Sequence, residues 1–288
     1  MQPLRTTYFG LPEENSDLET AQAVILPVPY EGTTSYGMGT KEGPGAILQA
    51  SKQVELYDEE LDSCPYEVGI ASFEEIWPSR RDYHAPIEQV REAFEELLEQ
   101  EKFVVMLGGE HSISLGAIQA ARAKYPDLGV VQIDAHADLR EEYEDTPDSH
   151  ASVMRRVCEE GIPLLQIAIR NISKEEMDWW KAEKPSEILW AKDQKNWDLE
   201  SALDRLPEHL FLTIDLDGID PSEMPAVGTP EPGGLRWDEL LSILRRLFAK
   251  KQVIGADLVE LCPLPGFRAP DFLAAKLLYK LIGYRFRK

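Results

Sequence analysis

The stretch VVQIDAHADLR, residues 130–140, decides how this chain folds. An apolar run stops abruptly at Asp134, His136 and Asp138, three metal-ligand residue types spaced by two. Seven further apolar runs lie on either side of it: residues 23–28, 67–71, 103–107, 164–169, 187–191, 210–216 and 253–261. Amphipathic stretches separate many of them. Residues 86–102 put Ile87, Val90, Phe94, Leu97 and Leu98 on one helical face, with Pro86 suited to the first helical position. Residues 236–251 and 269–284 read the same way. Strands apolar on both faces and alternating with helices indicate a parallel sheet covered on both sides. The expectation is an α/β fold, a three-layer α/β/α sandwich with a mainly parallel sheet of about eight strands, spanning residues 1–288 as one domain. A barrel is the alternative. In either, ligands gather beyond the carboxyl ends of the strands.

Three strand ends share one pattern. Residues 103–107 run into GGEHS with His111; residues 129–133 run into DAHAD; residues 210–214 run into DLDGIDP with Asp215 and Asp217. In an extended chain, residues two apart point to the same side, so Asp134, His136 and Asp138 can converge, as can Asp215 and Asp217. A lone DxD at a strand end is commonly a turn or a helix cap. DxHxD closing an apolar strand is far more specific, and the three motifs together argue against coincidence. Four buried aspartates repel one another unless cations sit between them. Two divalent ions balance four carboxylates, and a carboxylate-rich set with imidazole suits Mn²⁺, with Fe²⁺, Co²⁺, Ni²⁺ and Zn²⁺ as alternatives.

Composition bounds the remaining possibilities. The chain has 288 residues and a net charge of −22, which should repel nucleic acid and anionic membrane and attract cationic substrates. No apolar run reaches the ~18 residues of a membrane span. The first nineteen residues show no apolar core of a secretory leader. Three scattered cysteines (Cys64, Cys158, Cys262) read as reduced thiols, so a cytoplasmic location is expected. The glycine-rich segment 31–45 lacks the spacing of a phosphate-binding loop and reads as a rim loop over the strand ends. Trp179 and Trp180 read as core or subunit packing, and His84 and His209 as surface residues.

GGEHS, DAHADLR, SHAS, TIDLDGIDP, GTPEPGGL and GADLVELCP, in that order over residues 108–263, resemble the ureohydrolase family in its agmatinase branch. Residues 28–47 are similar to its N-terminal loop and following helix, and SHAS and VGTPEPGG to members that prefer N1-aminopropylagmatine. The resemblance implies two Mn²⁺ per subunit, one on His111, Asp134, Asp138 and Asp215, the other on Asp134, His136, Asp215 and Asp217. It implies His150 as the catalytic proton shuttle and Glu260 as the guanidinium-binding carboxylate, for which a structural pair with an arginine is the alternative. It also implies a homotrimer or homohexamer acting in polyamine biosynthesis. Hydroxide held by the metals would attack the guanidinium carbon, and the amine would leave protonated. Two departures fall near the pocket rather than on the ligand set: Ala151 follows His150 where glycine is usual, and residues 261–277 lack the Asp and Thr common after the glutamate.

Residues 139–149 hold Glu141, Glu142, Glu144, Asp145 and Asp148 against one arginine. A loop joining two site motifs should lie on the rim, where Asp145 and Asp148 would bind a cationic tail and repel a carboxylate; plain solvated surface is the alternative. The expected substrate is therefore agmatine or N1-aminopropylagmatine. Arginase, guanidinobutyrase, guanidinase and formimidoylglutamase activities are the alternatives within the family, and a non-catalytic metal-binding homologue is the alternative outside it.

Overall fold

The computed structural model describes residues 7–79 and 81–287. Its sheet has eight strands: β1 Ala23–Val28, β2 Ile70–Ser72, β3 Phe103–Gly108, β4 Gly129–Ile133, β5 Leu164–Ile169, β6 Glu187–Trp190, β7 His209–Asp215 and β8 Gln252–Val259. They run in the order β2-β1-β3-β8-β7-β4-β5-β6, and every pairing is parallel. The helices are α1 Gly43–Ser51, α2 His84–Glu99, α3 Ser114–Lys124, α4 Val153–Glu159, α5 Lys174–Glu183, α6 Leu199–Asp204, α7 Trp237–Lys250 and α8 Ala269–Arg285. One apolar core joins the sheet to α1, α6, α7 and α8; the other joins it to α2, α3 and α4, with Trp179 and Trp180 of α5 packed against it. The sandwich expected from the alternation of runs is thus what forms, and a barrel is excluded because β2 and β6 remain edges.

Local chemistry explains where elements start and stop. The expected strand 67–71 is later and shorter, because Pro65–Val68 makes a 3-10 turn that Gly69 ends at φ +78° before β2 begins. A side chain at Gly69 would meet the Ala21 backbone at 2.7 Å. Helix α2 begins at His84, so Pro86 sits third in its first turn rather than first. Proline is tolerated there because first-turn N–H groups have no intrahelical partner. Ser173 and Glu176 form a capping box on α5, and the Glu176 carboxylate also accepts the N–H of Leu139 at 2.9 Å. That contact ties the loop after β4 to α5.

The strand order is what positions the site. The strands that carry the motifs, β3, β8, β7 and β4, are the four central neighbours of the sheet. At ~4.8 Å between strands, their carboxyl ends lie within about 15 Å.

Candidate active site

Each of the six ligand-type residues sits at or just beyond the carboxyl end of a central strand. Asp134 follows β4 and is fully buried; Asp215 is the last residue of β7; Asp217 lies in the 3-10 turn Leu216–Gly218. Asp217 N–H donates to Asp215 Oδ1 at 2.8 Å, and Ala135 N–H donates to Asp217 Oδ1 at 3.0 Å. His111 opens the short turn after β3. Its Nδ1 lies 3.2 Å from Asp134 Oδ2, 3.0 Å from Asp138 Oδ2 and 3.6 Å from Asp215 Oδ2. His136 Nδ1 lies 2.9 Å from Asp217 Oδ2 and 3.6 Å from Asp134 Oδ1. The donor atoms of His111, Asp134 and Asp215 fall within 4.8 Å of one another, as do those of Asp134, His136 and Asp217, so Asp134 belongs to both groups.

Simple alternation does not produce this convergence. Residues 134–138 are no longer strand: β4 ends at Ile133, and Asp138 turns back through φ +52° to reach His111. Glu260 likewise stands at φ +66° just beyond β8, with its Oε1 accepting the N–H of His111 at 2.7 Å. Two functional-type side chains in the left-handed region are the kind of strain that concentrates at sites. No arginine or lysine pairs with Glu260 among the described residues, which removes the structural alternative for it. His150 opens a 3-10 turn before α4. His111, His136, Asp138, His150, Asp215, Asp217 and Glu260 all face one cavity of about 230 Å³. Thr34 to Gly37 form part of its wall, so segment 31–45 does contribute a rim loop.

Beneath the strand ends runs a row of buried polar residues that the sequence reading did not single out. Asp257 on β8 is in register with Thr213 on β7, Thr213 with Gln132 on β4, and Gln132 with Gln166 on β5. All four are fully buried. Thr213 Oγ1 donates to Asp257 Oδ1 at 2.7 Å and meets His111 Nε2 at 2.8 Å. Gln132 Nε2 donates to Asp134 Oδ2 at 2.7 Å, and Gln166 Nε2 donates to Gln132 Oε1 at 2.7 Å. The available signal was one polar residue two positions before each strand-end aspartate: Gln132 before Asp134, Thr213 before Asp215. Asp257 does not line the cavity, yet it reaches the site through Thr213. Glu110 and Thr33 form a second such link. Glu110 is fully buried and accepts from both the N–H and the hydroxyl of Thr33, whose Oγ1 lies 3.0 Å from His150 Nδ1.

The electrostatics of the cluster call for cations. Burial, then the neighbouring Asp134 charge, pushes Asp138 up to about 7. Burial, then Asp217 and Asp134, holds Asp215 well above the carboxylate range. Burial alone would lower His136, but Asp217 and Asp134 drive it up to about 12. Bare of metal, the cluster therefore holds protons between its carboxylates. Because Thr213 gives its hydroxyl hydrogen to Asp257, it can only accept from His111, which places the imidazole hydrogen on Nε2. Burial alone would lower His111, but the Asp134 and Asp138 carboxylates beside Nδ1 hold it well above the imidazole range, so without metal a proton sits between Nδ1 and the carboxylates. A ring nitrogen and three carboxylate oxygens that need a positive charge between them fit a cation in the proton's place, and the oxygen-rich donor set fits a hard or borderline divalent ion.

The loop acids are placed differently from expectation. Asp145 is exposed at φ +65° in the turn closed by Tyr143 and Thr146, and Asp148 Oδ2 pairs with His84 Nδ1 at 3.2 Å. Neither lines the cavity; Arg140 and Tyr143 do. The turn directs Asp145 to solvent, and His84 draws Asp148 aside. Glu144, whose charge raises His150, is the loop acid that acts on the site. Burial outweighs it and keeps His150 below the usual imidazole range. His209 pairs with Asp127 at the surface, and Arg155 stacks on Trp179 at 3.7 Å.

Comparison with known proteins agrees with this geometry. Residues 21–283 match the Arginase family. An N(1)-aminopropylagmatine ureohydrolase of Synechocystis sp. is 46% identical over 273 residues, covering 92% of this chain and 89% of that protein. An agmatinase of Bacillus cereus is 35% identical over 258 residues, covering 87% of each. The crystal structure of the agmatine ureohydrolase of Thermoplasma volcanium superposes with a TM-score of 0.88 at 31% identity, over 100% of this chain and 96% of that one. With a carboxylate–imidazole cluster at the ends of four central strands and a family match over nearly its whole length, the chain belongs to the arginase family and is a hydrolase acting on amidine C–N bonds.

Proposed function

We propose that the chain, as a single domain over residues 1–288, hydrolyses agmatine or N1-aminopropylagmatine to putrescine or spermidine and urea in polyamine biosynthesis, with two Mn²⁺ per subunit. The observation that carries the reading is the convergence of five ligand-type side chains, His111, His136, Asp138, Asp215 and Asp217, with His150 and Glu260 on one cavity, while the buried Asp134 belongs to both ligand-type groups beneath it. The names of the relatives in Synechocystis sp. and Bacillus cereus support the substrate class. The first ion would sit on His111, Asp134, Asp138 and Asp215, the second on Asp134, His136, Asp215 and Asp217. When bound, the pair supplies hydroxide near neutral pH by lowering the pKa of water. Glu260 would hold the planar guanidinium by paired charge-assisted hydrogen bonds. His150 would carry a proton to the departing nitrogen, so that guanidinium and water become a protonated amine and urea with charge conserved. Burial in the cavity lowers His150, which favours the neutral ring that can accept a proton near neutral pH. The enzyme is further proposed to be a cytoplasmic homotrimer or homohexamer; among the described residues no helix is long and apolar enough to cross a membrane.

Substrate choice rests on the tail. The chain's charge of −22 and the exposed acids Glu141, Glu142 and Glu144, which adjoin the lining residues Arg140 and Tyr143 in sequence, favour a cationic tail over a carboxylate. Arg140, the cation on the wall, lies over the Tyr143 ring and 4.0 Å from Glu176, which offsets its charge. Urea release from a panel of agmatine, N1-aminopropylagmatine, arginine and 4-guanidinobutyrate by Mn²⁺-loaded protein tests the proposal. The expected result is kcat/KM for the first two at least tenfold above the others. Arginine matching agmatine would overturn it.

A further inference from the structure

The carboxylate–threonine–imidazole arrangement seen at His111 occurs a second time, at His150. We infer that Glu110, acting through Thr33, fixes the tautomer of His150, so that Nδ1 carries the hydrogen and Nε2 faces the substrate. The inference rests on the reading of His150 as the proton carrier.

Donor bookkeeping leads to it. Glu110 is fully buried. Its Oε2 accepts the backbone N–H of Gly32 and, at 2.7 Å, of Thr33. Its Oε1 faces the hydroxyls of Thr33 at 2.7 Å and Ser112 at 2.6 Å. Four donors thus converge on this one carboxylate, and the Thr33 hydroxyl gives its hydrogen to Oε1. Thr33 Oγ1 must then accept from its other neighbours. One is the backbone N–H of His150 at 3.1 Å, already a donor. The other is His150 Nδ1 at 3.0 Å, which must therefore be the protonated ring nitrogen. Nε2 keeps its lone pair for the cavity that His150 lines. A second consequence concerns the wall. The same carboxylate holds the loop of Gly32 and Thr33, and that loop continues directly into Thr34, Ser35, Tyr36 and Gly37, which line the cavity. Glu110 thus sets the proton carrier and the cavity wall from one buried point. Both are positioning roles, since neither Glu110 nor Thr33 lines the cavity.

Glu110→Gln reverses the hydrogen-bond direction. Its amide oxygen can stay on the two backbone N–H groups, so its NH₂ faces the hydroxyls. Thr33 then accepts from the amide and turns its hydrogen onto His150 Nδ1, which moves the ring hydrogen to Nε2. The experiment is ¹⁵N NMR of imidazole-labelled protein loaded with diamagnetic Zn²⁺, with His150 assigned by its loss in His150→Gln. The unsubstituted protein should show Nδ1–H at His150, and Glu110→Gln should show Nε2–H. Turnover should fall roughly 10–100-fold in Glu110→Gln and Thr33→Val, a part of the 10²–10⁴-fold typical of a positioned acid or base, with KM changed less than threefold. Thr33→Ser, which keeps the hydroxyl, should recover most of what Thr33→Val loses. An Nε2–H imidazole in the unsubstituted protein overturns the inference even if no variant folds. So does Thr33→Ser falling as far as Thr33→Val. The spectrum is read independently of turnover, so failure of the His150 role, seen as full turnover in His150→Ala, is distinguishable from failure of the relay.

Discussion

At the residue scale, the polar row beneath the site is where side-chain chemistry is most exacting. Asp257 lies outside the cavity lining, yet it sets which nitrogen of His111 can face a metal. Partners of this kind typically change metal affinity 10- to 100-fold when removed. Asp257→Asn should therefore weaken Mn²⁺ binding by about that factor, measured by titration of metal-stripped protein; unchanged affinity would show that His111 needs no such support. Acid should act on the same cluster. In the metal-free fold, burial and the Asp134 charge raise Asp138 to about 7. A raised carboxyl binds its proton more tightly folded than unfolded. The metal-free protein therefore loses stability as pH climbs from the unfolded value, about 3.9, through the folded one. Metal ligation removes that proton and the penalty with it. The rise in melting temperature on adding Mn²⁺ should be larger at pH 8 than at pH 5.5, and a gap independent of pH would contradict this linkage.

At the scale of elements, the turns after the strands matter more than the strands. Gly109, between β3 and His111, shows why. Its N–H donates to Val28 O at 3.0 Å, and a Cβ there would stand 1.8 Å from the carbonyl oxygen of Tyr30. The turn after β3 and the loop after β1 are in backbone contact, which places Glu110 under Gly32 and Thr33. Gly109→Ala must push these segments apart. Overpacking commonly costs about 1–3 kcal/mol, and here backbone rather than a flexible side chain must yield. The expected outcome is a lower melting temperature together with loss of turnover, measured by calorimetry and urea release. A variant as stable and active as the parent would mean the two turns can separate freely.

For the whole molecule, metal and fold are one equilibrium. Ions that bind only the folded state stabilise it by ~2.7 kcal/mol at a hundredfold excess over Kd. Stripping metal should abolish urea release and lower the melting temperature, and Mn²⁺ should restore both. Full activity in demonstrably metal-free protein would end the metal reading. Asp134→Ala should lose most bound metal, because Asp134 belongs to both ligand-type groups.

The alternation of apolar runs and amphipathic stretches was sufficient for the parallel α/β/α sandwich, because burial on both faces leaves a strand no other home. All eight strands fall where apolar runs lie, with β2 displaced by the turn at Pro65 and Gly69. Residue types at the strand ends were enough to nominate His111, Asp134, His136, Asp138, Asp215 and Asp217. Strand order was not legible, because nothing local in 103–108 or 252–259 says they will be neighbours, and only that order brings the motif ends together. The positive φ angles of Asp138 and Glu260 were hidden for a similar reason: they are imposed by the contacts around them, against the preference of the residues themselves. Acid density in residues 139–149 suggested Asp145 and Asp148 as rim residues, but a charge count carries no direction, and the turn at Tyr143–Thr146 and the ion pair with His84 send both away from the cavity. The relays through Thr213 and Thr33 join residues 44 and 77 positions apart, beyond the reach of any local pattern. Sequence determined which groups are present and which strands are buried; tertiary structure alone decided which of them touch, because hydrogen bonds are directional and act only across the neighbours that folding supplies.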